Sequence, residues 1–201
     1  MPGKEKLTEY RAKRDFGRTS EPKGGRRRAA KPVPPGRKRG RRPRFVIQQH
    51  QARSLHYDFR LEAGGVLKSW AVPKGPSLNP SDKRLAMPTE DHPLEYRDFE
   101  GVIPEGEYGA GTVIVWDRGT YRNLGEEPVE EQVANGHVAI WLDGKKLRGG
   151  YALTRLGGGK RERWLLVKMD DEGADRRRKP VKSQPESVKS GRTLEQVADR
   201  G

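Results

Sequence analysis

Two histidines, an aspartate and an arginine crowd into the stretch Gln48–Leu61, QQHQARSLHYDFRL. In an extended strand successive side chains point to opposite faces, so His56, Asp58 and Arg60 share one face while Leu55, Tyr57, Phe59 and Leu61 share the other. Gln48 and His50 have the same even parity, and a bend near Ala52, Arg53 and Ser54 brings His50 beside His56. Two imidazoles and one carboxylate make a site for a divalent metal that leaves positions open for water and substrate. The chain has no cysteine, so His and carboxylate are the metal ligands on offer. His50 is the nearest third ligand, and His92 and His137 are the other two imidazoles. Arg60 adds a guanidinium fork that fits two oxygens of a phosphate, which points to a phosphoryl substrate. His92, in a polar segment before Pro93, has an ordinary pKa near neutrality and suits hydrogen bonding to a phosphate oxygen or protonation of a leaving oxygen. Lys74, Arg84 and Tyr96 are further donors; their plainer roles are surface solvation for the two cations and core packing for the tyrosine. His137, at the start of a strand, reads as structural.

Short strands position these groups. RFVIQQH, SLHYDFRLE and GGVLKSWAVP read as three strands, with Ala63-Gly64-Gly65 turning the second into the third as a hairpin. PKGPSLNPSDK reads as a long loop and KRLAMP as a further short strand. A strong strand spans Thr112–Trp116, and PVEEQVAN, at about 128–135, is the helix of the core, stopped by Gly136. HVAIWLDG, KKLRGGYALTRLG and RERWLLVKMD follow as strands separated by Asp143-Gly144 and Gly157-Gly158-Gly159 turns. The fold class is mainly β: an antiparallel closed or partly closed barrel with one or two short flanking helices and a disordered basic N-terminal arm.

Charge divides the chain into three parts. Residues 1–44 hold 17 Lys/Arg against 4 Asp/Glu, almost all of the net +14; residues 45–170, the barrel domain, are nearly neutral; residues 171–201 form a charged tail or linker. YRAKRDFGRTSEP, near the start, begins as a helical turn over Leu7–Lys13 and then runs extended. KGGRRRAAKPVPPGRKRGRRPR lacks the apolar area to offset chain entropy and reads as a flexible basic linker. Such an arm fits a polyanion, nucleic acid first, because neutralising phosphates releases condensed counterions. It lacks the apolar face an interfacial helix needs, and no run approaches a membrane span or a signal-peptide core. No membrane partner is expected, and the compartment is cytoplasmic. The tail holds a small helix at Thr193–Ala198.

QQHQARSLHYDFRLE, SWAVPKGPS, RLAMPTEDHPLEY and EGVIPEGEYGAGTVIVWD together closely resemble the 3'-phosphoesterase domain of bacterial DNA ligase D and its stand-alone bacterial and archaeal relatives, over roughly residues 10–170. The resemblance implies a barrel-like β fold and a manganese-dependent enzyme, other divalent metals being admissible. It implies removal of a terminal ribonucleoside and then of the remaining 3'-phosphate at DNA or RNA–DNA 3' ends. His50, His56 and Asp58 match the family's metal ligands; Arg60 and His92 match its phosphate-contacting pair. Gln48, Lys74, Arg84, Glu90 and Tyr96 fall at further site positions, and Arg14, Asp15 and Glu21 match positions used in the ribonucleoside step. Partners implied are the ligase and polymerase modules of the pathway and Ku, at the bacterial or archaeal nucleoid. SVKSGRTLEQVADRG looks like the linker that leads into the ligase module. Two other classes are open on the residues: a non-haem Fe(II) oxygenase using His56, Asp58 and a distant His137, and a noncatalytic DNA-end binder with structural histidines.

Overall fold

The computed structural model describes residues 6–25, 40–157 and 159–201. Most of the expected flexible linker, residues 26–39, lies outside the described residues. After a short helix α1 (Thr8–Ala12) come β1 (Arg44–Gln51), β2 (Leu55–Ala63), β3 (Val66–Val72), β4 (Arg84–His92), a 3-10 turn (Leu94–Asp98), β5 (Gly101–Ile103) and β6 (Gly111–Asn123). Helix α2 (Val129–Asn135), β7 (His137–Gly144), β8 (Arg148–Leu156), β9 (Arg163–Lys168), α3 (Pro180–Ser183) and α4 (Leu194–Ala198) follow.

The strands hydrogen-bond in the order β1-β2-β3-β4-β9-β8-β7-β6-β5, and β6 pairs back onto β1, which closes eight antiparallel strands into a barrel. β6 makes the closure possible through its thirteen residues. Its first part pairs with β5, its last part with β7, and a register shift opposite Ile47/Gln48 bends it around β1. The odd-numbered face of β1 and β2 (Phe45, Ile47, Tyr57, Phe59, Leu61) joins Trp70, Trp116, Tyr151 and Trp164 in the buried interior. The even-numbered face is therefore the outer wall.

A second apolar layer forms on that wall. Leu7 and Tyr10 of the leader pack with Val66, Leu67, Tyr96, Phe99, Ile103 and Val113. Burying Leu7 and Tyr10 stabilises leader docking by on the order of 2 kcal/mol each. The described part of the basic arm is thus seated on the barrel, and α1 falls within the turn expected over Leu7–Lys13.

Three elements differ from their sequence reading. β4 runs on to His92, so that histidine ends a strand opposite Leu67 instead of lying in a connecting segment. The 3-10 turn at Leu94–Asp98 has too few residues for a periodic pattern. The C-terminal residues pack back on the barrel instead of trailing as a tail: Val188 donates its backbone N–H to the Val115 carbonyl, and α4, capped by Thr193 and Gln196, buries Val197. The helix at α2 and its stop are as read, with Gly136 at φ 87°, where a side chain is disfavoured.

Asp117 holds the β7–β8 turn from β6. Its side chain is fully buried; Oδ1 accepts from the N–H groups of Arg118, Lys145 and Lys146, and Oδ2 from Leu147 N–H at 2.9 Å. Asp117→Ala orphans those donors, and a loss of about 3 kcal/mol is expected. Urea unfolding measures it; an unchanged midpoint would mean water replaces the carboxylate.

Candidate active site

β1 and β2 pair so that His50 stands directly opposite His56, their ring centroids 4.8 Å apart, and Asp58 opposite Gln48. His50 Nδ1 lies 3.5 Å from Asp58 Oδ2 and His56 Nε2 lies 3.5 Å from Asp58 Oδ1. One ligand atom from each residue falls within 4.8 Å of the others. The remote ring nitrogens face backbone carbonyls: His50 Nε2 is 2.8 Å from Gly109 O and His56 Nδ1 is 3.2 Å from Ser54 O. A carbonyl can only accept, so in the neutral rings those nitrogens carry the protons and the lone pairs of His50 Nδ1 and His56 Nε2 face the carboxylate. Three converging acceptors suit a cation between them, and hydrogen bonds from the far nitrogens are the usual support for metal-bound imidazoles.

The electrostatics agree. Burial alone would raise the Asp58 carboxyl, but Arg60, and His50 and His56 whenever their facing nitrogens carry a proton to donate, outweigh it and hold the group well below the usual range. Burial alone would lower His56, but Asp58 raises it above the ordinary imidazole value. A proton thus competes with a metal for His56 Nε2. Divalent-cation affinity is expected to weaken as pH falls through that raised pKa, approaching tenfold per pH unit for one displaced proton. Metal titrations from about pH 8 to about pH 6 test this; a constant affinity would mean His56 is not a ligand.

Arg60 is fixed on two sides, with Nη2 3.1 Å from Asp58 Oδ2 and Nε donating to Gln48 Oε1 at 2.7 Å. Gln48 is held in turn by donating to the carbonyls of Tyr96 (2.8 Å) and Phe99 (3.0 Å). Arg60 Nη1 is buried without a hydrogen-bond partner, and the guanidinium lies over the Tyr96 ring. A buried orphan donor on a positioned cation calls for an acceptor such as a phosphate oxygen.

The leader completes the cluster. Arg14 binds Glu21 through Nε (2.9 Å), Glu90 through Nη1 (3.0 Å) and approaches His92 Nε2 with Nη2 (3.3 Å). Tyr96 donates its hydroxyl to Glu21 Oε1 at 2.8 Å. His92 Nδ1 lies 2.8 Å from Glu90 O, so Nδ1 holds the proton and Nε2 accepts from Arg14. Burial, then Arg60 and Arg14, push His92 well below its ordinary value, so the ring is neutral. The near-neutral pKa expected from sequence is lost to burial and to these two guanidiniums, and Nε2 has no proton to give in this state.

A profile of the DNA ligase D 3'-phosphoesterase domain matches residues 48–155. The chain belongs to this family. It is 49% identical over 197 residues to the multifunctional non-homologous end joining protein LigD of Pseudomonas aeruginosa, covering 96% of this chain and 22% of that protein. It is 48% identical over 171 residues to the multifunctional non-homologous end joining DNA repair protein LigD of Mycobacterium tuberculosis, and 43% over 175 residues to that of Mycolicibacterium smegmatis, each covering 85% of this chain and 21% of the relative. The chain thus spans about a fifth of the length of these curated relatives.

In this phosphoesterase-family chain a cavity of about 780 Å³ gathers His50, His56, Asp58, Arg60, Glu90, His92 and Tyr96 from the barrel with Arg14 and Glu21 from the leader. Gln48 stands behind it as a strut. Lys74, Arg84 and Asp15 do not line it. Lys74 is exposed in the turn after β3, Arg84 starts β4 and reaches Asp82 at 3.3 Å, and Asp15 accepts from Gly17 N–H. His137 bonds Thr154 Oγ1 on β7–β8 and lies outside the cavity lining, so the oxygenase triad is not assembled. The sequence motif EGVIPEGEYGAGTVIVWD named no site residue among residues 104–110, whose Gly109 carbonyl orients His50 and whose Tyr108 is half exposed at the cavity wall. The signal was the glycine spacing of PEGEYGAG: Gly106 and Gly109 take φ of 86° and 76°. No helix among the described residues is long and apolar enough to cross a membrane.

Proposed function

We propose that this chain is a manganese-dependent phosphoesterase that heals DNA 3' ends. It removes a terminal ribonucleoside and then the 3'-phosphate, leaving a 3'-hydroxyl for repair and ligation at breaks. The observation that carries the reading is Arg60 Nη1, buried and unsatisfied beside the His50, His56 and Asp58 acceptors. The names of the relatives, which refer to non-homologous end joining, support the pathway.

His50, His56 and Asp58 would hold the ion, which when bound supplies Lewis-acid polarisation of a phosphoryl oxygen and a more acidic water. Arg60 donates from Nη1 to a phosphate oxygen while Asp58 and Gln48 keep its plane fixed, so no reorganisation is needed as charge develops. Arg14 adds a second buried cation at the same wall and holds His92 as a neutral acceptor. Leader residues Leu7 and Tyr10 cover the outer wall beside the site, which keeps the Arg14 network out of water. The ligase and polymerase modules and Ku are the partners this role would require, in a cytoplasmic setting at the nucleoid.

A primer-template ending in a 3'-ribonucleotide or a 3'-phosphate, incubated with and without manganese, tests the reading. Stepwise conversion to a 3'-hydroxyl end is expected. No conversion of either end at any manganese concentration would reduce the chain to a DNA-end binder.

A further inference from the structure

A second concavity, of about 360 Å³, lies between the start of β1, the middle of β6 and the 3-10 turn. Arg44, Arg97, Arg118 and Lys145 line it with Thr120, and Asp98 is the acid in its wall. Asp98 is engaged by Arg118 at 3.1 Å and Arg97 at 3.5 Å. Glu62 reaches Arg97 from the side at 3.9 Å. Among the described residues the side chains of Arg44 and Lys145 have no carboxylate partner, and Arg97 Nε is buried without a hydrogen bond. Cationic donors therefore outnumber the acceptors supplied to them.

Placement says what the missing acceptor is. Arg44 and His50 are on the same strand and share parity, so the concavity and the candidate active site open on the same outer wall. The 3-10 turn stands between them, turning Tyr96 toward the active site and Arg97 toward the second concavity. Six strand steps of about 3.3 Å separate Arg44 from His50, about 20 Å in all. At about 3.4 Å per base pair that distance is about six base pairs of duplex. The basic segment 26–39, with seven Lys/Arg, joins the barrel at this rim through residues 40–43.

We propose that this concavity is a subsite for the phosphodiester backbone of the duplex whose 3' end occupies the active site, a reading that rests on the proposed function. Arg44 and Lys145 take backbone phosphates several base pairs from the end, and Arg97 and Arg118, partly neutralised by Asp98, form the floor.

The test compares wild type with Arg44→Ala/Lys145→Ala, two exposed positions whose loss leaves the barrel interior untouched, with matched thermal midpoints as the folding control. Binding is followed by fluorescence anisotropy on 3'-phosphate DNA with stems of about 12 and about 4 base pairs, closed by a phosphate-free linker, across a salt series. On the long stem the variant's slope of log affinity against log salt is expected to be shallower by about two, one unit per lost phosphate contact. On the short stem the slopes coincide. Equal slopes on the long stem overturn the subsite. So does an equal loss on both stems, which would be a diffuse charge effect. If inorganic phosphate at constant ionic strength abolishes the long-stem advantage, the concavity takes free phosphate and the backbone assignment fails. A protein that shows the stem-dependent slopes but never converts the 3' end would retain the subsite and lose the proposed function.

Discussion

Asp58→Asn is expected to abolish divalent-cation binding and to lower phosphoester hydrolysis by about a thousandfold or more. Two roles meet in this carboxylate. It faces His50 Nδ1 and His56 Nε2 at 3.5 Å each, and it holds Arg60 Nη2 at 3.1 Å. Losing a metal's charge stabilisation costs several kcal/mol of barrier, and about 4 kcal/mol corresponds to about 10³ in rate. Asparagine keeps the volume and one acceptor, so folding survives. Asp58 is also what raises His56, so the variant's His56 titrates at lower pH than wild type in metal-free NMR titrations. Steady-state hydrolysis of a 3'-phosphate substrate gives the rate. Retention of more than about a tenth of the activity, a barrier change of less than about 1.36 kcal/mol, would place the metal elsewhere.

Arg14→Ala is expected to undock the leader. Arg14 sits between two buried carboxylates, Glu21 at 2.9 Å and Glu90 at 3.0 Å, with side-chain exposures of 0% and 3%. Removing the shared cation leaves buried Glu21 without its cation and Glu90 with Lys13 Nζ alone at 3.3 Å, a loss of about 3–5 kcal/mol of local stability. None of these residues belongs to the apolar cluster of the barrel interior, so global unfolding should change much less. Amide hydrogen exchange separates the two: Tyr10 and Thr19 should lose protection while Phe59 and Trp116 keep theirs. In activity, the ribonucleoside-removing step should fall by about 10²-fold more than phosphate removal, because the larger leaving group depends more on the wall that the leader supplies. Equal losses in both steps, or unchanged exchange at Tyr10, would make Arg14 a surface contact.

The strand-borne half of the site was legible because period two is a strong code. His56, Asp58 and Arg60 had to share a face once Tyr57, Phe59 and Leu61 went inside, and a short bend sufficed to set His50 against His56. The other half was less legible because it depends on tertiary docking. Nothing in the spacing of Arg14, Glu21, Glu90 and Tyr96 places them together; α1 has to fold onto the outer wall first. The same holds for His92, whose neutrality comes first from burial under the docked leader and then from two guanidiniums on different segments. The charged C-terminal residues hid their docking for a compositional reason: a few buried positions, Pro180, Ser187 and Val197, separated by Lys, Arg and Glu, make no periodic stripe. Lys74 and Arg84, read as further donors and matched to site positions by the resemblance, both stand away from the cavity walls.

Pulsed electron paramagnetic resonance of the chain loaded with manganese and a 3'-phosphate DNA end tests the central claim most directly. Nitrogen couplings from His50 and His56, each removed by the corresponding His→Ala substitution, together with a phosphorus coupling from the terminal phosphate, are the expected result. Manganese bound without imidazole couplings, or without phosphorus in contact, would contradict a phosphoester site at His50, His56 and Asp58.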